Sequence, residues 1–118
     1  MAEIRVKRAY RAARVSDGAR ILVDRLWPRG MSRDRLRLAD WMRDIAPSEE
    51  LRHWFGHDPA RWEAFCERYR RELDGMPDAV ALLRARVSKG PVTLIYAAKD
   101  EAHNNAVALK TYLDEHPR

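Results

Sequence analysis

The chain has 118 residues, a length typical of one domain that buries a core of its own. Hydrophobic residues make up 46% of the chain and charged residues 35%, a composition that excludes an intrinsically disordered protein. The formal net charge is +5, and residues 1–37 carry the excess, with 11 basic and 4 acidic side chains. This excess predicts a field that attracts anions, although solvated surface arginines would produce the same count.

The first half of the chain predicts two strands. Residues 4–8 alternate apolar and basic side chains, as a half-buried strand does. Residues 16–18 are a turn signal, and the apolar run at 21–23 fits a buried strand. The segment 24–30 then contains Trp-Pro-Arg-Gly, which excludes regular structure because proline lacks a backbone donor and glycine allows unusual dihedrals. Ser32 is the candidate N-cap of a short helix that follows.

The middle of the chain predicts three helices. One begins at residues 47–51, with acidic residues in its first turn, and stops at Gly56. Asp58 and the proline after it open the second helix, whose apolar residues recur every three or four positions. Residues 78–88 form the third. The stripe on the second helix consists of Trp62, Phe65, Cys66, Tyr69 and Leu73.

The end of the chain predicts a buried strand at residues 92–97, a nearly continuous apolar run, and a closing helix at residues 104–115. The order of the elements is two strands, several helices, a strand and a helix. It predicts an α/β fold, with a small, partly parallel β-sheet flanked by helices in a single compact domain over residues 1–118.

Cysteine usage and hydropathy indicate where the protein works. Cys66 is the single cysteine, which excludes an intramolecular disulfide and is typical of a reducing compartment. The first residues show no apolar run of signal-peptide length, and no segment approaches a membrane span. We therefore expect a cytoplasmic protein with no membrane partner.

Two polar loops, residues 24–30 and residues 98–104, each follow a predicted buried strand. If those strands are parallel, both loops leave the sheet at its carboxyl edge, where open α/β sheets bind ligands. Arginine holds phosphate or carboxylate groups bidentately, and an asparagine near a helix N-terminus adds amide donors. We predict an anion site between the loops, with these candidate ligand-binding residues: Arg25, Trp27, Arg29, Lys99 and Asn104.

The same residues also allow a purely structural interpretation. Asp24 and Arg25 would then form an ion pair, and Trp27 would close the end of the sheet as part of the core. If the chain is an enzyme, the candidate proton carriers are Asp24, Tyr96 and His103. No known catalytic motif is present, so the sequence leaves open whether any reaction occurs.

Other features suggest different roles. His53 and His57 have a spacing that allows metal ligation on a helix, but Gly56 between them ends the helix, so we expect no metal and no cofactor. Residues 54–59 are a candidate cleft wall. A protein-interaction module would use exposed tryptophans or arginines. A nucleic-acid-binding module would use the basic residues of the N-terminal third as phosphate contacts: Arg5, Lys7, Arg11, Arg14, Arg33, Arg35 and Arg37.

Residues 17–18 and the run Ile-Leu-Val-Asp-Arg-Leu-Trp-Pro-Arg-Gly at 21–30 resemble the hallmark of the YeaO-like family, domain of unknown function 488. The resemblance covers essentially the whole chain. It continues through residues 47–48, 51–52, 54–55, 57–58, Phe65, Tyr69, 72–73, 93–100 and Asn104. It implies a small cytoplasmic bacterial-type α/β protein, and it supplies neither a function nor catalytic residues.

One position departs from the family pattern. Related sequences usually place a histidine directly after the asparagine of the last motif, whereas this chain has Asn105 there. If that histidine carries a proton in the family, this chain lacks it unless His103 takes its place. Ligand binding is therefore a firmer expectation for this chain than catalysis.

Overall fold

The computed structural model describes residues 3–115, in which four strands and five α-helices follow one another. The strands are β1 (Ile4–Arg8), β2 (Ala19–Leu22), β3 (Asp40–Trp41) and β4 (Val92–Tyr96). The helices are α1 (Arg33–Leu36), α2 (Glu49–Phe55), α3 (Trp62–Asp74), α4 (Pro77–Ser88) and α5 (Asn105–Glu115). Short 3₁₀-helices occupy Val15–Asp17, Arg43–Ile45 and Pro59–Arg61. No helix in this part of the chain is long and apolar enough to cross a bilayer.

The strands form one sheet in the order β1–β4–β2–β3, and each neighbouring pair is parallel. β4 lies between β1 and β2, and all its residues are buried, as its continuous apolar sequence predicts. The predicted α/β fold is confirmed, and the parallel pairing extends through all four described strands. Their carboxyl ends therefore lie at the same edge of the sheet.

The predicted elements match the observed ones to within a residue or two. β2 ends at Leu22, one residue before the end of the predicted run, and Asn104 precedes α5 rather than starting it. The residues after Asp58 first form a 3₁₀ turn and then α3. The sequence does not predict β3, because a strand of two residues is too short to show an alternation.

Side chains and one glycine set the limits of the short helices. The Ser32 Oγ accepts a hydrogen bond from the Arg35 N–H at 3.1 Å, which starts α1. The Ser48 Oγ accepts from the Leu51 N–H at 3.1 Å and starts α2 in the same way. α2 ends at Gly56, whose φ of +54° lies in the left-handed region that glycine adopts without a steric penalty.

The alternation of side chains along the central strands divides the apolar interior into two cores. Ile21 and Leu94 point to a large core, which α2 to α5 cover. The next residues along the same strands, Leu22 and Ile95, point to a smaller core beneath Leu36 of α1. The predicted stripe of α3 contributes its most buried members to the large core: Phe65, Tyr69 and Leu73.

A buried charged cluster, formed by Asp17 and Arg20, lies at the start of β2, near the amino edge of the sheet. Asp17 and Arg20 are 4% and 3% exposed, and Asp17 accepts from the Arg20 guanidinium at 2.7 Å and from the Lys7 ammonium at 2.8 Å. Burial by itself would raise the pKa of Asp17. Hydrogen bonds from Lys7, the Arg14 N–H and Arg20 outweigh burial and hold that pKa at about 2. The cluster thus joins β1, the turn and β2.

Candidate functional site

A cleft of about 710 Å³ lies at the carboxyl edge of the sheet. The segments that follow each of the four strands contribute to its wall, as the parallel topology requires. Three residues of α2 and its C-terminal turn, together with one residue of α3, close the remaining side. The lining residues are Arg8, Tyr10, 24–29, Ala46, Pro47, Arg52, Phe55, His57, Phe65, 97–100 and 103–105.

The two predicted loops meet at Asp24. One carboxylate oxygen accepts a hydrogen bond from the Ala97 N–H at 3.0 Å, and the other accepts from the Asn105 side-chain amide at 3.0 Å. The same amide donates to the Val23 carbonyl at 3.0 Å. Burial raises the pKa of Asp24, opposed by the hydrogen bonds from Asn105 and Ala97 and by the charge of Arg52. Asp24 therefore links the two loops on one side of the molecule.

Arg25 lines the cleft with an incompletely paired guanidinium. Its Nη2 donates to the carbonyl oxygens of Ala46 and Pro47 at 3.4 and 3.3 Å, and its Nε is buried without a partner among residues 3–115. Its Nη1 forms no hydrogen bond with any residue of the described chain. Asp24 and Arg25, which both lie within residues 3–115, do not form the ion pair that the structural interpretation expected. Arg25 thus keeps donor capacity.

Cationic side chains outnumber carboxylates in the cleft wall. The cationic residues are Arg8, Arg25, Arg29, Arg52 and Lys99. The acidic residues are Asp24 and Asp100. Arg8 donates its Nε to the two backbone carbonyls that follow β4, at 3.3 and 2.9 Å. The side chains of Arg29, Arg52 and Lys99 form no hydrogen bond or ion pair within residues 3–115. These three side chains remain available to an anion.

Trp27 packs against the smaller core and also lines the cleft. Its indole N–H donates to the Met31 carbonyl at 2.6 Å, and its ring lies edge-on to Trp41 at 5.5 Å. The Trp41 indole in turn donates to the Asp24 carbonyl at 2.8 Å. Gly30 turns the loop at a φ of +78°. These contacts hold the loop in one conformation.

The two asparagines at the start of α5 have different roles. Asn104 is 2% exposed, accepts from the Val107 N–H at 3.0 Å and donates to the Asp100 carbonyl at 3.0 Å. It is therefore the N-cap of α5, and its side-chain oxygen is committed to capping. Asn105 supplies the amide that reaches Asp24. The prediction assigned ligand contact to Asn104, and both asparagines line the cleft.

The other two candidate proton carriers differ in their access to the cleft. The His103 Nδ1 lies 2.9 Å from an oxygen of Asp100, and its ring lies edge-on to Trp62 at 5.2 Å. The hydrogen bond from His103 lowers the pKa of Asp100. Tyr96 is 2% exposed and lies outside the cleft wall, and burial raises its pKa. His103 faces the cleft, whereas Tyr96 belongs to the core.

The two histidines of the middle segment do not lie on one helix. His53 lies within α2, whereas His57 follows the end of that helix at a φ of +59°. Among the residues that the structure describes, no group of three or more histidine, cysteine, aspartate or glutamate side chains has a suitable arrangement for a metal ion. Phe55 and His57 instead line the cleft, in the segment 54–59 that the sequence suggests as a wall.

Sequence reasoning did not assign several residues of the cleft wall to the site, among them Arg8, Tyr10 and Arg52. Arg8 and Tyr10 come from the end of β1, and Arg52 comes from α2. The end of β1 carried a usable signal, since an Arg and a Tyr there lie at the same edge once all strands are parallel. No sequence signal placed Arg52 in the site, because an arginine on a short helix is usually a solvated surface residue.

Three of the seven basic residues of the nucleic-acid hypothesis form ion pairs within the protein. Arg5 pairs with Glu3, Arg11 with Glu101, and Lys7 with the buried Asp17. The four remaining basic residues of the nucleic-acid hypothesis are exposed: Arg14, Arg33, Arg35 and Arg37. The four tryptophans are half-buried rather than exposed: Trp27, Trp41, Trp54 and Trp62.

Comparisons with known proteins connect the chain to relatives of unknown function. The family described as the inactive DUF488-N3 subclade matches residues 3–117. The uncharacterised protein YeaO of Escherichia coli is 42% identical over 110 residues, which cover 93% of this chain and 96% of that protein. The chain belongs to the YeaO-like DUF488 family.

Two further relatives also carry names that describe them as uncharacterised. The proteins Rv3073c of Mycobacterium tuberculosis and Mb3100c of Mycobacterium bovis are each 40% identical to this chain over 111 residues. The matches cover 94% of this chain and 93% of each relative. No solved structure matches the chain significantly. The names of these relatives state no activity, so a functional argument has to start from the cleft.

Proposed function

We propose that the chain binds a small anionic molecule, through a phosphate or carboxylate group, in the cleft between the 24–30 and 98–104 loops, and that it does not transform this molecule. The observation that carries the proposal is the incompletely paired guanidinium of Arg25 in a wall with four further cations. The Arg25 Nη1 forms no hydrogen bond within residues 3–115, and a hydrogen bond to a charged group contributes roughly 1.5–3 kcal/mol, so an anion that accepts from this donor is bound favourably.

The charge balance of the cleft supports an anionic ligand. Five cations and two carboxylates line it, a formal excess of three positive charges with the histidines neutral. Asp24 has both oxygens engaged by hydrogen bonds, and its carboxylate is half-buried at the base of the loops. The N-terminus of α5, an eleven-residue helix that begins at Asn105, adds a favourable partial charge at the same edge.

The protonation chemistry of the cleft supports binding without turnover. Asp24 accepts one hydrogen bond at each oxygen, from the Ala97 N–H and from the Asn105 amide, and these two bonds hold its carboxylate in place. The neutral amide of Asn105, which holds Asp24, cannot exchange a proton at neutral pH as a histidine does. The description of the subclade as inactive supports the same conclusion.

The proposal is tested by titrating ¹⁵N-labelled protein with inorganic phosphate and, separately, with benzoate, and following backbone amide shifts. We expect the largest shifts at residues 24–30 and 97–105. Lys99→Gln should weaken binding of each probe by roughly tenfold, since a hydrogen bond to a charged group contributes about 1.5–3 kcal/mol. Lys89→Gln is the matched control, because Lys89 is also an exposed lysine but lies outside the cleft.

A second pair of variants repeats the comparison with arginines. Arg29→Gln removes a cation of the cleft, and Arg33→Gln removes an exposed arginine of α1. The proposal is wrong if neither probe shifts the loop amides. It is equally wrong if the control variants weaken binding as much as the cleft variants do, because the anions would then respond only to net charge.

A further inference from the structure

The cleft is larger than a free inorganic anion requires. Its volume of about 710 Å³ falls within the range of about 300–1,000 Å³ that is usual for pockets that hold organic ligands. Phosphate alone would leave most of this space to water. Since the wall also contains Leu26, Trp27 and Phe55, the additional volume is bounded partly by apolar surface. The ligand that fits this cleft therefore has an organic body as well as an anionic group.

Some of the exposed apolar side chains of the described residues line the cleft. Four large hydrophobic residues of the described chain are exposed: Tyr10, Val15, Leu26 and Leu82. Two of them, Tyr10 at 37% and Leu26 at 64%, line the cleft. Leu26 belongs to the same loop as Arg25 and Arg29, so an aliphatic contact is available beside the cationic ones. This arrangement suits a ligand whose charged and apolar parts are adjacent.

The aromatic residues of the wall are held in position by contacts within the protein. The Tyr10 hydroxyl donates to the Arg29 carbonyl at 2.8 Å, and the Arg8 guanidinium lies 4.6 Å from the centre of its ring. The Trp27 indole N–H is bonded to the Met31 carbonyl. Because both polar donors already have partners, these side chains offer a ligand mainly apolar surface. Their fixed positions reduce the entropy lost on binding.

We infer that the ligand is a phosphate monoester that carries an apolar organic group, with its phosphate among Arg25, Arg29 and Lys99 and its organic group against Leu26 and Trp27. This inference rests on the proposed anion-binding function. A phosphate monoester carries a charge of about −1.5 to −2 at pH 7. The formal excess of three positive charges in the wall therefore suits it better than a singly charged carboxylate.

Isothermal titration calorimetry with three probes tests this inference: phenyl phosphate, inorganic phosphate and benzoate. We expect phenyl phosphate to bind at least tenfold more tightly than either other probe, because it alone provides both a doubly charged group and an apolar ring. Leu26→Ala should weaken phenyl phosphate several-fold and leave inorganic phosphate unchanged. Leu82→Ala is the control, since Leu82 is also 64% exposed but lies on α4, away from the cleft.

The possible outcomes separate this inference from the proposed function. Equal affinities for phenyl phosphate and inorganic phosphate would show that the ligand needs no organic group, while the proposed anion binding would still stand. If benzoate bound as tightly as phenyl phosphate, the inference that the anionic group is a phosphate would be wrong. Binding of none of the three probes would overturn the proposed function and the inference together. Thermal denaturation of both leucine variants verifies that they are folded, which their exposed positions lead us to expect.

Discussion

Replacing Asp17 with asparagine should destabilise the protein in a way that depends on pH. The Asp17 carboxylate accepts hydrogen bonds from Lys7, Arg20 and the Arg14 N–H, at 2.8, 2.7 and 3.0 Å. Asp17→Asn removes the negative charge and leaves Arg20, which is 3% exposed, without its counter-ion. Breaking a buried pair by removing one partner costs roughly 3–5 kcal/mol, so we expect a loss of that size at pH 7.

The pH-dependent part of this loss follows from the pKa of Asp17. That pKa is about 2 in the folded protein, against an ordinary value of 3.8. At 1.36 kcal/mol per pH unit, the difference corresponds to about 2 kcal/mol of stability. Because the folded pKa is the lower one, this stabilisation is fully present above about pH 4 and is lost as the pH falls toward 2. At pH 3 roughly half of it remains.

Urea denaturation of the wild type and of Asp17→Asn at pH 7 and at pH 3 measures both parts. We expect the difference in the free energy of unfolding to shrink by about 1 kcal/mol at the lower pH. Asp44→Asn serves as the control, because Asp44 is exposed and forms no ion pair within residues 3–115; we expect less than about 0.5 kcal/mol there. A cost at Asp17 that is the same at both pH values would refute the argument.

Two other positions give independent predictions. Gly18→Ala should cost more than about 2 kcal/mol in urea denaturation, because φ is +66° and the new Cβ would lie 2.3 Å from the Pro91 carbonyl oxygen. Gly75→Ala, where φ is −86°, should cost less than about 1 kcal/mol, and equal costs would contradict the steric argument. Burial raises the pKa of Cys66 to about 11. A chromogenic disulfide reagent should therefore react with it about a hundredfold more slowly at pH 7 than with free cysteine; a comparable rate would rule this out.

The arrangement of the candidate site followed in part from local sequence patterns. Two buried strands, each followed by a polar loop, indicated that Arg25 and Lys99 lie at one edge of the sheet, and both residues line one cleft. This inference worked because it required only the parallel direction of the strands. It did not require knowledge of the order of the strands in the sheet.

Local patterns did not distinguish the roles of neighbouring residues. Asn104 and Asn105 are both asparagines at the start of a helix. Their residue type therefore does not show which of them caps the helix and which contacts the cleft. Only the position of β2 beside β4 brings Asp24 within hydrogen-bond distance of Asn105. The same holds for Tyr96, whose place in a continuous apolar strand gave no indication of which face it occupies.

The sequence by itself determined the α/β class, most helix limits and the membership of the YeaO-like DUF488 family. These depend on periodicity, on caps such as Ser48 and on a continuous motif, all of which are local in the chain. The tertiary structure alone decided which cations share the cleft. Arg8 and Arg52 join Arg25 there because the carboxyl ends of parallel strands converge and α2 packs beside them. Such convergence depends on contacts between residues distant in sequence, which no local pattern records.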